Sequence, residues 1–166
     1  MAEVSIRILM ITPKISYIKE LVEPEHQLFH HRINSCSYNL DRHHLSRILV
    51  DNMIHHQGIG ISANQIGIWE RAFVMMTNIE KEETITCFNP KILKTYAKKE
   101  IMEEGCLSYP NLFLRVERPC SIVAKWEDEN EVIHKTKLEG FSARIFLHEY
   151  DHMEGIDFTQ RKVNDF

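Results

Sequence analysis

What this sequence lacks narrows its class before any motif is considered. No apolar run approaches the ~20 residues that a helix needs to cross a bilayer, so no membrane-spanning helix is expected. The opening MAEVSIRILMITPKISYIKE has no long apolar stretch or small-residue cleavage site of a signal peptide. Nor is it the Arg- and Ser-rich, acid-poor segment of a transit peptide, and a cytoplasmic protein is the expectation. The four cysteines, Cys36, Cys87, Cys106 and Cys120, include no C-x-x-C pair. In a reducing compartment they read as free thiols or metal ligands, with Cys36, Cys87 and Cys120 expected to be small buried apolar residues. Positive charge is not in excess: the net charge of −4 argues against a general nucleic-acid-binding surface. Repeats, low-complexity tracts and Gly/Ser/Pro-rich linkers are missing too. The 166 residues therefore fit one domain, residues 1–166, around a single core.

What remains is an ordinary globular composition, 43% hydrophobic and 27% charged. The first forty residues show no regular period. From Asp41, the residues Leu45, Ile48, Leu49, Asn52, Met53 and His56 fall on one helical stripe. Asp41 or Asn39 is the expected cap, Gly58 the expected left-handed stop, and Arg42, Arg47 and Asp51 are expected to face water. The adjacent pairs His43–His44 and His55–His56 would point about 100° apart on a helix, which makes each a poor chelate. They read as surface or packing residues. After Gly67 the runs RAFVMM, TITCFNP and CSIVAKWED are rich in β-branched and aromatic residues, and EDENEV offers a turn. FSARIFLHEYDHMEG then returns to helical spacing, with Gly155 as its stop. A helix near each end with strands between them predicts an α+β domain.

The last helix carries the chemistry. HEYDH places His148 and His152 one turn apart, so both imidazoles leave the same face, while Glu149 sits beside them. That is the H-E-x-x-H arrangement of metal hydrolases. The alternative is a solvated helix end bearing two exposed histidines. A three-ligand site needs a donor from another element, and EEGCLSYP supplies Cys106 where a strand end would bring backbone close. The stretch GIGISANQIG adds two glycines that permit close backbone approach and an amide donor, Gln65. It has neither the spacing nor the lysine of a phosphate loop.

At these three stretches together the sequence resembles the peptide deformylases. Gly58-Ile59-Gly60-Ile61-Ser62-Ala63-Asn64-Gln65 is similar to the family's G-φ-G-φ-A-A-x-Q. Glu104-Gly105-Cys106-Leu107-Ser108 matches E-G-C-L-S without change, and His148-Glu149-Tyr150-Asp151-His152 matches H-E-x-D-H. The departures are Ser62, where the family usually has Ala, and Asn64, where Pro is frequent. The resemblance implies antiparallel or mixed β-sheets packed around a central metal-binding helix, with a second helix in the N-terminal half. It also implies a reaction, removal of the N-formyl group from the initiating Met of new polypeptides with release of formate.

Cys106, His148 and His152 would then hold one divalent ion per chain and leave a position open for water. Iron(II) is the implied physiological ion, with zinc, nickel or cobalt also suited to one thiolate and two imidazoles. Glu149 would act as general base and then acid. The Gln65 amide and the Leu107 backbone N–H would face the developing oxyanion. The methionine pocket implied by motif position comprises Ile59, Met102, Glu104, Phe141, Ile145 and the His148 ring, with Gly60 and Gly105 beside the substrate backbone. A purely core role for Phe141 and Ile145 is the alternative. Asp151 is expected to support the helix, and Arg144 to form an ion pair. The expected partners are N-formylmethionyl peptides, with no membrane and no specific nucleic acid, and the chain is expected to be a monomer. The short tail ending TQRKVNDF offers little for ribosome docking, which is not expected. Two other classes stay open on the residues alone. A zincin-type metallopeptidase would take a His or Glu downstream of the helix as its third ligand, where only Asp157 and Asp165 remain. A catalytically inactive metal-binding domain would have no use for Glu149 and Gln65.

Overall fold

The computed structural model describes residues 15–163. Most of the opening stretch judged for leader character, and Asp165, lie outside them. Residues 18–40 form an irregular arm with a 3-10 turn at Gln27–Phe29, and α1 follows at Arg42–His55. Seven strands come next: β1 (Gly60–Ser62), β2 (Ala72–Asn78), β3 (Glu83–Thr95), β4 (Lys99–Cys106), β5 (Tyr109–Pro119), β6 (Ser121–Glu127) and β7 (Ile133–Glu139). The chain then enters α2 (Gly140–Met153) and a final 3-10 turn at Phe158–Arg161. All strand pairs are antiparallel, in a five-stranded sheet ordered β1-β2-β3-β6-β7 and a two-stranded sheet β4-β5. The α+β expectation holds, with α2 as its central helix.

The period of two is clearest in β6, where Ile122, Ala124 and Trp126 are buried and their neighbours are less so. Those residues join Phe73, Met75 and Phe146 in a core between the five-stranded sheet and α2. Burial of each large apolar side chain there stabilises the fold by about 1.5–3 kcal/mol. A second core forms under α1, from Leu45, Ile48, Leu49 and Met53 against Ile61, Val74 and Phe88. The two cores clamp β1 and β2, and so hold the loop that follows β1 against α2.

Helix α2 is buried on nearly all sides because a sheet lies on either flank. Its apolar side meets the large sheet, and its polar side meets the ends of β4 and β5. It ends where expected: Gly155 has a φ of +72°, and a Cβ there would meet the backbone of His30 and His31 at 2.9 Å.

Around α1 the sequence expectations need correction. Asp41 caps the helix by accepting from the His44 N–H, as expected. The left-handed residue after the helix is Gln57 (φ +59°), not Gly58. A Cβ on Gly58 would instead lie 2.7 Å from Leu107 Cδ1, so that glycine answers to crowding rather than to φ. Asp51 is fully buried, not solvent-facing, with Arg47 Nε 2.9 Å away, and Arg42 is drawn inward onto Glu127 at 2.7 Å. Of the cysteines, Cys36 and Cys87 are buried free thiols, but Cys120 is only half-buried at the β5–β6 junction. The hairpin β4–β5 is the largest feature that periodicity missed. Most of its length is exposed on both faces, so its charged sequence carries no two-residue apolar alternation.

Candidate metal centre

The helix spacing of His148 and His152 brings their rings to 5.1 Å between centroids, and the end of β4 delivers Cys106 across from them. Their ligand atoms all lie within 4.8 Å of one another, and Cys106 Sγ is 3.4 Å from His152 Nε2. One soft thiol and two imidazoles are a donor set for a borderline transition metal. Burial keeps the His152 imidazole far below its ordinary pKa, hence neutral and free to donate a lone pair. His148 directs Nδ1 to Glu104 Oε2 at 3.0 Å, which leaves Nε2 for a ligand. The residues fit a single metal ion.

Four more side chains form a buried ionic frame behind the ligands. Arg118 forks onto Glu104 at 2.6 and 2.8 Å and reaches Asp151 at 2.7 Å. Arg144 adds a contact to Glu104 at 2.7 Å, the ion pair expected of it. Burial alone would raise the Glu104 pKa, but hydrogen bonds from His148 and Arg118 hold it down at about 2. Asp151 points away from the ligands into this frame, as the sequence suggested. Sequence reasoning missed Arg118 and Arg161, since neither a strand arginine followed by proline nor an arginine in a charged tail carries a local signal of a buried partner.

Glu149 is 4% exposed, and its Oε2 has no hydrogen-bond partner among the described residues. Burial pushes its carboxyl up to about 7, outweighing the opposing pull of His148 and Arg118. Such a group is poised to exchange a proton near neutral pH. A Cβ on Gly60 would lie 2.6 Å from Glu149 Oε1 and 3.1 Å from Ile145 Cγ2, so a side chain there would push the carboxylate aside. Gly60→Ala is therefore expected to displace Glu149 and lower kcat about tenfold or more, for an overpacking cost of only about 1–3 kcal/mol. Steady-state kinetics set beside thermal melting would reveal it. Wild-type turnover would show that the carboxylate has room to move.

Gln65 is buried in the 3-10 turn after β1. Its Oε1 accepts from the Ser62 backbone N–H at 2.9 Å, so Nε2 faces Ser108 Oγ at 3.2 Å and Cys106 Sγ at 3.5 Å. The two departures from the family motif join this arrangement. Ser62 Oγ lies 3.0 Å from Gln65 Oε1 and 2.8 Å from Asn64 Oδ1, while Asn64 Nδ2 donates to the carbonyls of Leu28 and His152 at 3.0 Å.

An open cleft of ≈ 730 Å³ runs past two of the ligand positions, Cys106 and His148, while His152 is buried and does not line it. Ile59, Gly60, Gln65, Glu104, Gly105, Cys106, Leu107, Phe141, Ile145, His148 and Glu149 line it, as do Leu112 and Phe113, which the sequence did not single out. Phe141 is 46% exposed, which rules out a purely core role, whereas Ile145 serves both core and cleft. Met102 is not among the lining residues. It lies two positions before Glu104 on β4, roughly 7 Å further along the strand, and is 37% exposed.

Comparison with known proteins agrees with this geometry. The model of the polypeptide deformylase family matches residues 18–165. A peptide deformylase of Thermotoga maritima is 37% identical over 113 residues, 68% of this chain and 67% of that protein. The crystal structure of a peptide deformylase from Synechococcus elongatus in complex with actinonin superposes with a TM-score of 0.85 at 29% identity, covering 92% of this chain and 85% of that one. A Met-Ala-Ser-bound peptide deformylase from Acinetobacter baumannii gives 0.79 at 26% identity, covering 87% of this chain and 98% of that one. With a family match along nearly its whole length, the same fold and a convergent metal-ligand set, the chain belongs to the polypeptide deformylase family, hydrolases that remove N-formyl groups from nascent polypeptides.

Proposed function

We propose that Cys106, His148 and His152 hold one divalent ion, and that Glu149 and Gln65 act beside it on N-formylmethionyl peptides. The observation that carries this reading is the approach of three ligand atoms to within 4.8 Å, next to a buried carboxylate lacking a partner among the described residues. When bound, the ion supplies Lewis acidity and lowers the pKa of water toward neutrality. Glu149 takes the proton that water loses as it attacks the formyl carbon. It returns that proton to the amine nitrogen as the C–N bond breaks, leaving formate and a free amino terminus. The Gln65 amide, turned by Ser62, donates toward the developing oxyanion together with the Leu107 N–H, a kind of contact worth about 3 kcal/mol.

The methionine side chain enters the apolar part of the cleft, between Ile59, Phe141 and Ile145, and the substrate backbone runs along Gly60 and Gly105. The Met-Ala-Ser peptide bound by the A. baumannii relative supports a peptide of this kind as product. Iron(II) is the ion we assign in the cell, with zinc, nickel and cobalt as substitutes that the same donors accept. No described helix is long and apolar enough to cross a membrane.

A metallopeptidase of the zincin type finds less support. Asp157, its available downstream ligand, accepts from Tyr109 Oη at 2.9 Å and from the Thr159 N–H at 2.8 Å, and is not part of the metal-ligand group. The deciding experiment is hydrolysis of formyl-Met-Ala by protein loaded with iron or nickel under reducing, oxygen-free conditions. Stoichiometric formate release is expected. Cleavage of the Met–Ala bond, or no reaction with one ion bound per chain, would overturn this reading.

A further inference from the structure

We propose that Arg161, which lies outside all three sequence motifs, is a positioning residue for the metal ligand His148. It acts through Asp151, Arg118 and Glu104. This rests on Cys106, His148 and His152 being the metal ligands. The segment that carries Arg161 is built onto the site. Phe158 is buried against Cys106 and Val116, Lys162 bridges to Val116, and the Val163 N–H donates to the Arg115 carbonyl at 2.9 Å. From that anchorage Arg161 forks onto Asp151, with Nη2 2.8 Å from Oδ1 and Nε 3.1 Å from Oδ2. Asp151 Oδ2 also takes Arg118 Nη1, whose Nε and Nη2 fork onto Glu104. Glu104 Oε2 in turn accepts from His148 Nδ1 at 3.0 Å.

Within this chain each of the two buried carboxylates is held by its own guanidinium fork, Arg161 on Asp151 and Arg118 on Glu104. A forked pair fixes the plane of both partners, which a single contact does not. Without Arg161, Asp151 keeps among the described residues one side-chain hydrogen bond, from Arg118, and remains a buried charge in want of partners. Arg118 then answers two carboxylates with one fork, and any turn toward Asp151 loosens its hold on Glu104. The His148 ring is set by Glu104, so looseness at that carboxylate reaches the metal ligand directly. Asp151 also stands on α2 between the two histidines, so its own movement is felt at both.

The test uses the full-length chain loaded with zinc, with dissociation followed by a chromogenic chelator, and the cobalt form followed by its absorption spectrum. Loss of a ligand's direct hydrogen-bond partner costs about 10–100-fold in metal affinity, and at one further remove Arg161→Ala is expected to speed zinc loss about 3- to 10-fold. The cobalt bands should shift as well. Arg161→Lys keeps the charge but not the fork. It is expected to fall between the alanine variant and the wild type, and it keeps the measurement possible if Arg161→Ala folds poorly. Lys162→Ala, next in sequence and also on the tail, should match wild type. Metal-free Arg161→Ala is expected to melt lower, since Asp151 loses a partner, whereas Arg161→Lys keeps a cation there and should melt near wild type, so its faster zinc loss separates loss of positioning from general loosening.

Wild-type zinc dissociation and cobalt spectra in both Arg161 variants would overturn the proposal while leaving the metal site intact. A wild-type chain that binds no zinc, or binds it as tightly after Cys106→Ala, would overturn the metal-site reading and this role with it.

Discussion

Glu149→Ala is expected to remove turnover on formyl-Met peptides while leaving about one ion bound per chain. A positioned general acid–base contributes about 10²- to 10⁴-fold, and kcat should fall within that range. Metal content should hold because Glu149 is not in the ligand group formed by Cys106, His148 and His152. Stability should hold too. No described residue donates a hydrogen bond to Glu149 Oε2, so the substitution breaks no described hydrogen bond at that oxygen. An alanine variant that melts no lower than wild type yet fails to release formate is the expected pairing. Activity within tenfold of wild type would sink the general-base assignment.

The second large effect is expected at Cys106. Replacing it by Ser exchanges a soft thiolate for a neutral, hard hydroxyl, and replacing it by Asp keeps the charge but not the softness. Metal affinity should fall by more than the roughly 10–100-fold lost with an outer partner, because a ligand itself is removed. After dialysis, Cys106→Ser should hold well under one ion per chain, and Cys106→Asp should shift its preference toward harder ions. Elemental analysis beside activity measures both. Unchanged content and unchanged turnover would make Cys106 a buried thiol with no part in the site, in the manner of Cys87.

Both expectations were in view from the motifs, that for Cys106 through the family resemblance and that for Glu149 through local geometry. A histidine four residues from another shares a helix face by covalent construction alone, and an adjacent glutamate must stand beside them. The helix stop at Gly155 and the cap at Asp41 follow from backbone chemistry just as local, and both occur where the residues suggested. The alternation of β6 is of the same kind, because one face of that strand is buried along its length. The α1 stripe succeeded for Leu45, Leu49 and Met53 but failed for Asp51. A periodic pattern identifies an apolar face and cannot say that a carboxylate beside it will also be covered.

What the sequence by itself determined, then, was whatever depends on neighbours within a turn or a pleat: the two helices, the strand-rich middle, the paired histidines and the glutamate between them. The tertiary structure decided how distant segments meet. Cys106 and His152 are 46 residues apart in sequence and 3.4 Å apart in space, and no periodicity encodes that approach. It depends on β4 ending against α2, in a hairpin whose exposed faces leave no pattern to read. The buried frame of Arg118, Glu104, Asp151 and Arg144 belongs to the same category. Each charged residue looks like solvated surface until packing takes it out of water, and only then does the cost of burying a charge demand a partner of opposite sign.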